Sequence, residues 1–551
     1  MLIRAEEMKR ILFALIFYLS LPPVVFAADH YIRSGASGTA DGSDWTNAFT
    51  TKPTWVRGDT YYIADGTYGQ FNFDTPVSGT TWIYLKKATA AAHGTETGWD
   101  EAYGDGVALF DPGNDWGWKI ETSYWDIDGV VGGGSESWFV GHGFKISLTP
   151  TGTTGRAITL YNNNVTHVNL SHFEATQSNF ADKTKGSGGY YTVATGTTDV
   201  NISNAWIHGF NGCTIATGAP VSAYTIDNCA IGDNWGDQGS IGHSEIWSML
   251  SVNNSTIKNS YLYSWRSTGG LIAINGEADG TGPGNINDTV QIYNNIFDQG
   301  DGQANCVICV IHDGSNDQYA KNWSVFNNTF VNVDSSSTGV SAVAIAYLES
   351  DNTTNLVKNN IWYGHSDTLS FSGNVHNYNW FTGASVYTEA NGYSGGVEDP
   401  FTNSATADYT LKSGATPIAR GTATGQLSAA DIAGVSWATP PSMGAYELDV
   451  PDGSYTVTPS VASESGTISP NAVEVVASGG NSTTYTATPA HCYSISAWSG
   501  TCGATGSAET YQKTNVTEDC TIIVTFAFSC GTATVGAGGS MTLGSGGSIT
   551  F

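Results

Sequence analysis

A short element centred on asparagine recurs along the middle of the chain, and it limits the possible folds more than any other feature. It reads Val200-Asn-Ile-Ser-Asn204-Ala-Trp-Ile, Tyr224-Thr-Ile-Asp-Asn228-Cys-Ala-Ile and Ser255-Thr-Ile-Lys-Asn259-Ser-Tyr-Leu. It returns as Val290-Gln-Ile-Tyr-Asn294-Asn-Ile-Phe, Ser324-Val-Phe-Asn-Asn328-Thr-Phe and Leu356-Val-Lys-Asn-Asn360-Ile-Trp. An earlier copy, Val168-Asn-Leu-Ser-His172-Phe, carries His in the Asn slot. Aligning Asn204, Asn228, Asn259, Asn295, Asn328 and Asn360 gives spacings of 24, 31, 36, 33 and 32 residues. Each copy is a short alternating strand, a turn residue and a second short strand, with no amphipathic helix between copies. Strands repeating in this way predict a parallel solenoid whose coils stack about 4.8 Å apart. The Asn has a structural role in such a fold: it tolerates a left-handed bend, and its amide can bond to the Asn above and below.

Composition agrees. The residues that fill long helices are scarce: charged residues make up 13% of the chain, while Gly alone accounts for 67 positions. That favours strands and turns and excludes coiled coils and helical bundles. The net charge of −29 argues against nucleic acid, whose phosphates need a basic surface, and against an anionic membrane surface. It suits an extracellular protein, including one that takes up Ca²⁺. With only 20 Lys and Arg, a polyanionic substrate would need a local basic patch or a bridging cation.

The chain starts with a targeting pattern. Arg4, Lys9 and Arg10 precede the apolar run from Ile11 to Leu21, and Val25-Phe-Ala27 forms a small-residue cleavage site. Residues 1–27 therefore read as a secretory signal peptide, too short for a membrane span, and no later segment is apolar enough to be one. Export permits disulfides among the eight cysteines. Cys492, Cys502, Cys520 and Cys530 crowd into the C-terminal part, and Cys213 and Cys229 lie an apparent repeat apart. Cys306-Val-Ile-Cys309 has an apolar filling that reads as a strand, which points its two thiols to opposite faces.

Residues 30–448 resemble the secreted right-handed parallel β-helix proteins of the pectate-lyase-like superfamily. The resemblance rests on the opening, Tyr31-Ile-Arg-Ser-Gly-Ala-Ser-Gly with Asp41-Gly-Ser-Asp-Trp-Thr-Asn-Ala-Phe and Gly58-Asp-Thr-Tyr-Tyr-Ile-Ala-Asp-Gly-Thr-Tyr68. It rests equally on the close, Asp399-Pro-Phe, Asp408-Tyr-Thr-Leu, Pro417-Ile-Ala-Arg-Gly421 and Gly444-Ala-Tyr-Glu447. It implies an all-β fold, a right-handed parallel β-helix with an N-terminal cap over residues 28–449. Such helices host lyases, hydrolases, esterases, adhesins and passive spacers, so the architecture leaves the chemistry open.

After Pro451-Asp-Gly, residues 450–529 change to alternating strands with Pro and Gly corners, a small β domain. It resembles the bacterial surface module related to internalin B-repeats, and that resemblance implies a Cys502–Cys520 bridge and a spacer or adhesive role. Residues 530–551 form a Gly/Ser-rich tail with the near-repeat Gly538-Gly-Ser-Met-Thr-Leu and Gly546-Gly-Ser-Ile-Thr-Phe551.

One row of polar residues points to chemistry. The strand preceding each Asn element ends on acids and histidines: His243 and Glu245, then Asn275 and Glu277, then His312 and Asp313, then Glu349. Stacking would bring Glu245, Glu277, Asp313 and Glu349 to one edge. Carboxylates about 5 Å apart repel unless one is protonated or a cation lies between them. Such a ladder would let Glu245, Glu277 and Asp313 hold calcium, or with His243 and His312 supply the acid and base of a lyase or glycosidase; the alternative is that these residues merely end their strands and face water. Arg266 would meet a uronate carboxylate, and Trp265, Lys258, Asn275 and Glu349 would line the groove. Trp206, Trp235, Trp247, Trp265, Trp323, Trp362 and Trp380 recur along the helix, as core or as sugar-stacking platforms. Gly141-His142-Gly143 resembles the G-H-G of polygalacturonase-type hydrolases, but no R-I-K or paired-Asp motif accompanies it. Two functions stay open: a secreted lyase or hydrolase acting on extracellular polysaccharide, and a non-catalytic adhesin or spacer bound to a cell-surface glycan.

Overall fold

The computed structural model describes residues 27–529, apart from 136, 153–154, 183–184, 193, 219, 235–244, 250, 265–270, 275–285, 301–305, 311–318, 333–342, 346–354, 366–374, 384–388, 449–453 and 463–464. The expected signal peptide (but for Ala27) and the Gly/Ser-rich tail lie outside the described residues. The described chain divides into two compact units, residues up to 397 with 425–434, and residues 398–424 with those from 435 onward.

In the first unit three parallel sheets run side by side. The first has 13 strands, from Asp29–Ile32 to Val375–Asn377, and the second has 12, from Gly66–Tyr68 to Tyr393–Gly396. The third has nine, from Phe71–Phe73 to Val343–Ile345. One coil visits them in turn: Thr197–Ser203 in the first, Trp206–His208 in the second, Ile215–Thr217 in the third. The next coil then opens with Val221–Asp227, parallel to Thr197–Ser203. Parallel crossovers within one sheet are right-handed almost without exception, so the unit is a right-handed parallel β-helix.

Strand alternation explains the core. In Thr197–Ser203, Val200 and Ile202 are buried and Asn201 and Ser203 face outward. The same inward slot stacks like on like from coil to coil: Leu170, Ile202, Ile226, Ile257, Ile292, Val325 and Val357 are successive register partners, all buried. In the second sheet Phe297, Phe330 and Trp362 stack face to face, with centroids 4.8 and 3.9 Å apart. Trp247, Trp323, Trp362 and Trp380 are core residues, whereas Trp206 lies partly exposed against His208.

The corner between the first and second sheets carries the asparagines, and it corrects the alignment made from sequence. Two adjacent rows exist, not one. The outer row, His172, Asn204, Asn228, Asn259, Asn294, Asn327, Asn359 and Tyr378, has φ between 50° and 59° throughout. This is the left-handed bend, which Asn enters at less cost than other side-chain-bearing residues. The inner row is Phe173, Ala205, Cys229 and Ser260, and then Asn295, Asn328, Asn360 and Asn379, each of these four Asn fully buried. Their amides form a ladder: Asn295 Nδ2 donates to Asn328 Oδ1 at 3.0 Å, Asn328 to Asn360 at 3.1 Å, Asn360 to Asn379 at 3.0 Å. Asn295, Asn328 and Asn360 therefore stand one position after the row that holds Asn204, Asn228 and Asn259.

In the second unit, a four-stranded sheet orders Glu474–Ala477, Ser454–Val461, Cys520–Phe528 and Tyr493–Ser499. A three-stranded sheet orders Gly466–Ser469, Tyr485–Pro489 and Thr510–Tyr511. Val457, Tyr485, Trp498, Val516, Ile522 and Val524 form its core. Cys502 and Cys520 are disulfide-bonded, with Cα atoms 4.8 Å apart, as the resemblance implied. Among the described residues no helix is long and apolar enough to cross a membrane, which says nothing of spanning strands.

Candidate functional site

The outward face of the third sheet gathers cations and rings, with one of the acids singled out from sequence buried beside them. Parallel register carries Lys119 opposite Thr159, Thr159 opposite Tyr191 and Tyr191 opposite Ala216, so neighbouring coils present these positions side by side. Arg156 lies with its guanidinium 4.2 Å over the Tyr191 ring. Its register partner is Gly188, where a Cβ would meet Tyr191 Cε2 at 2.5 Å and Arg156 Cδ at 3.2 Å. Only glycine leaves room for that pair to close. Burial, and then the neighbouring Cys213, push the Tyr191 hydroxyl up to about 12, so it remains a protonated donor at neutral pH.

Cys213 links this pair to Glu245. The buried Cys213 thiol donates to Glu245 Oε2 at 3.3 Å, and the Thr214 amide donates to the Glu245 carbonyl at 3.1 Å. Burial, and then the adjacent carboxylate, hold the Cys213 thiol well above its usual range, so it is a neutral donor and no nucleophile. Glu245 itself is 3% exposed. Farther along the same face, Lys119 Nζ lies 3.9 Å over the Tyr161 ring and 5.0 Å over Trp116, and 2.7 Å from Glu121. Tyr161 packs against Lys119 and Trp116 yet stays 41% exposed. Cation–ring pairs beside stacked aromatics bind planar and ring-shaped polar ligands.

Of the row of acids expected from sequence, the described residues include Glu245, which stands two residues before the strand Trp247–Met249. That strand pairs with Ile272–Ile274 through Trp247 and Ile272, and Ile272 pairs in turn with Ile308. His243, Trp265, Arg266, Asn275, Glu277, His312, Asp313 and Glu349 lie outside the described residues. Among the described residues no group of three or more His, Cys, Asp or Glu is close enough to hold a metal. Lys258 belongs to the first sheet, not the third, and pairs with Asp227 at 3.1 Å. The strand Cys306–Val310 is present as expected.

A second polar cluster lies on the outward face of the second sheet, and of its residues the sequence pointed only to His142 and Trp206. Glu174 Oε1 receives Lys145 Nζ at 2.7 Å and lies 3.2 Å from His208 Nε2, whose ring stacks 3.6 Å from Trp206. Burial works against the Glu174 charge, but the His208 and Lys145 hydrogen bonds outweigh it and lower its pKa. His142, of the Gly141-His142-Gly143 motif, is buried beside this group; Nε2 has no hydrogen-bond partner. Burial pushes its pKa down to about 4.

Sequence reasoning missed Arg156, Tyr191, Lys119 and Tyr161 because they precede the first clear Asn copy. The signal that would have found them is the spacing of Gly155–Leu160 and Ser187–Thr192, which repeats the coil period upstream.

No protein-family model matches the chain, and no curated protein matches it. Among solved structures, pectate lyase Pel9A superposes with a TM-score of 0.41 at 13% identity, covering 78% of this chain and 98% of that one. A PL6-family alginate lyase superposes with a TM-score of 0.32 at 13% identity, covering 79% of this chain and 61% of that one. The parallel β-helix itself stands on the strand pairing above.

Proposed function

We propose that this chain acts on an extracellular acidic polysaccharide laid across the outward face of the third sheet. The observation that carries this reading is the Arg156 guanidinium held over Tyr191, continuous through Cys213 with Glu245. In a chain of net charge −29, a fixed guanidinium on a face with aromatic side chains offers a uronate carboxylate a local cation. The exposed part of Tyr161 then contacts a neighbouring sugar ring.

The reaction that fits is β-elimination. Neutralising the uronate carboxylate acidifies the adjacent C–H. A base removes that proton, and the glycosidic oxygen leaves from the next carbon as an unsaturated uronate forms. His243 or His312 would serve as base and Arg266 as a second carboxylate partner. Calcium would be held by Glu277 and Asp313 and would supply further neutralising charge. Glu245, already engaged by a thiol, orients the Cys213–Tyr191 side of the face.

A binding-only reading, an adhesin or spacer, draws on a different observation: Lys119 is already matched by Glu121 at 2.7 Å. A face so neutralised holds a glycan without activating it. The test is incubation of the exported protein with uronate and neutral polysaccharides, with and without Ca²⁺. Absorbance of unsaturated products together with new reducing ends supports the lyase; reducing ends alone mean a hydrolase. Retained binding with neither signal means the adhesin.

A further inference from the structure

At one place along the Asn corner two separate segments rise beside it. Neighbouring coils pass from the first to the second sheet within a few residues, as from Asp227 to Ala230. Between Trp125–Asp128 and Phe144–Leu148, residues 129–143 are inserted instead. Gly132, Gly133 and Gly134 all have positive φ, and they press the insertion onto the outer row: a Cβ at Gly133 would overlap the Asn204 carbonyl, and one at Gly134 would meet Asn228 Nδ2 at 2.8 Å. The Ser135 amide then donates to Asn228 Oδ1 at 2.8 Å. On the other side residues 425–434 return from far along the chain. Asn294 Nδ2 donates to Ser428 Oγ at 3.1 Å and to the Ala430 carbonyl at 2.8 Å.

Between these walls lies a cleft of about 550 Å³. Its floor is Asn204, Asn228 and Asn259, with Asp227, Lys258 and Tyr293; Ala429, Ala430, Ala433 and Gly434 line one wall. The floor groups are fixed by one another. Asn228 Nδ2 donates to Asn204 Oδ1 at 2.7 Å, and Asn259 Nδ2 to Asp227 Oδ1 at 2.9 Å. Each primary amide keeps a second N–H, and an ammonium held by one carboxylate keeps two more.

We infer that this cleft binds a neutral saccharide unit, separately from the face of the third sheet. The volume falls within the range of small-ligand sites, which spans roughly 300–1,000 Å³. The chemistry selects among ligands. An anion gains nothing, because Asp227 already takes the Lys258 charge and Asp431 stands in the wall. A cation meets Lys258. A peptide would seek apolar pockets, and that wall offers alanines and glycine. Preorganised amide N–H groups, a carboxylate and a phenol match vicinal hydroxyls, each of which both donates and accepts. This inference does not depend on the proposed lyase reading.

The test titrates the full exported chain with maltotetraose, cellotetraose and mannotetraose by calorimetry. Ala433 is exposed in the wall, so Ala433→Trp fills the cleft without disturbing the floor. The expected result is binding of at least one tetrasaccharide, weakened about tenfold or more by Ala433→Trp and by Lys258→Met and unchanged by Arg156→Ala. Circular dichroism of each variant checks the fold, and two variants acting from opposite sides keep a misfolded one from deciding the result. No heat with any of the three sugars overturns the inference. So does binding that Ala433→Trp leaves intact, or that Arg156→Ala abolishes, which would move the site to the third sheet.

Discussion

Removing one rung of the buried amide ladder tests how much the inner Asn row contributes to holding the coils together. Asn328 is fully buried, and its Oδ1 accepts from both the Asn295 amide and Asn295 Nδ2, each at 3.0 Å. Its Nδ2 donates to the Ile292 carbonyl at 2.9 Å and to Asn360 Oδ1 at 3.1 Å. Asn328→Ala strands the two Asn295 donors in an interior without water, and each stranded group costs about 1–3 kcal/mol. The expected loss is therefore about 4 kcal/mol. Asn201→Ala is the control: it removes two half-buried hydrogen bonds from Asn201 Nδ2, to Asn169 Oδ1 at 3.0 Å and a long one to Asp199 Oδ1 at 3.5 Å, and should cost about 1 kcal/mol or less. Urea unfolding reads both as midpoint shifts at constant slope. A loss below about 1 kcal/mol for Asn328→Ala would refute the reasoning, since it would mean the ladder contributes no more than a surface contact.

Three further outcomes follow from particular groups. His142 is neutral in the fold at about 4 but takes a proton at its ordinary 6.5 when unfolded, so the unfolded state binds more protons between those values. Its contribution is whole above pH 6.5 and falls away toward pH 4, by about 3 kcal/mol in all, and His142→Asn should flatten that limb of a stability-against-pH curve. Reducing Cys502–Cys520, or replacing both by Ala, opens a loop of 18 residues and should destabilise the C-terminal sheets by about 3 kcal/mol, read by calorimetry. Gly188→Ala should break the Arg156–Tyr191 contact while leaving the buried strands in place, so polysaccharide affinity falls about tenfold or more at nearly unchanged melting temperature.

The first sheet was legible because its signal is local. Strand alternation and a bend residue recur within eight positions, and Val200, Ile226 and Ile257 occupy the buried slots that alternation assigns. The row register was not legible, for a physical reason. In the later copies Asn294-Asn295, Asn327-Asn328 and Asn359-Asn360 put two asparagines side by side. A left-handed bend and a buried amide ladder both favour Asn, so sequence alone leaves a one-residue ambiguity that only cross-coil pairing resolves. The same limit applies to the acids. Glu245 stands two residues before the strand Trp247–Met249, in a connection where strand alternation assigns no face. Arg156 and Tyr191 meet across coils over a contact that no local pattern encodes, and the same holds for the loop that carries His142.

On the proposed reading, the third sheet presents an acidic-polysaccharide face built on Arg156. Affinity electrophoresis of the protein through gels cast with polygalacturonate or alginate tests it most directly. The wild type should be retarded in at least one of these gels, Arg156→Ala should migrate freely, and Tyr161→Ala should fall between. Equal retardation of wild type and Arg156→Ala, or none for either, would contradict the account.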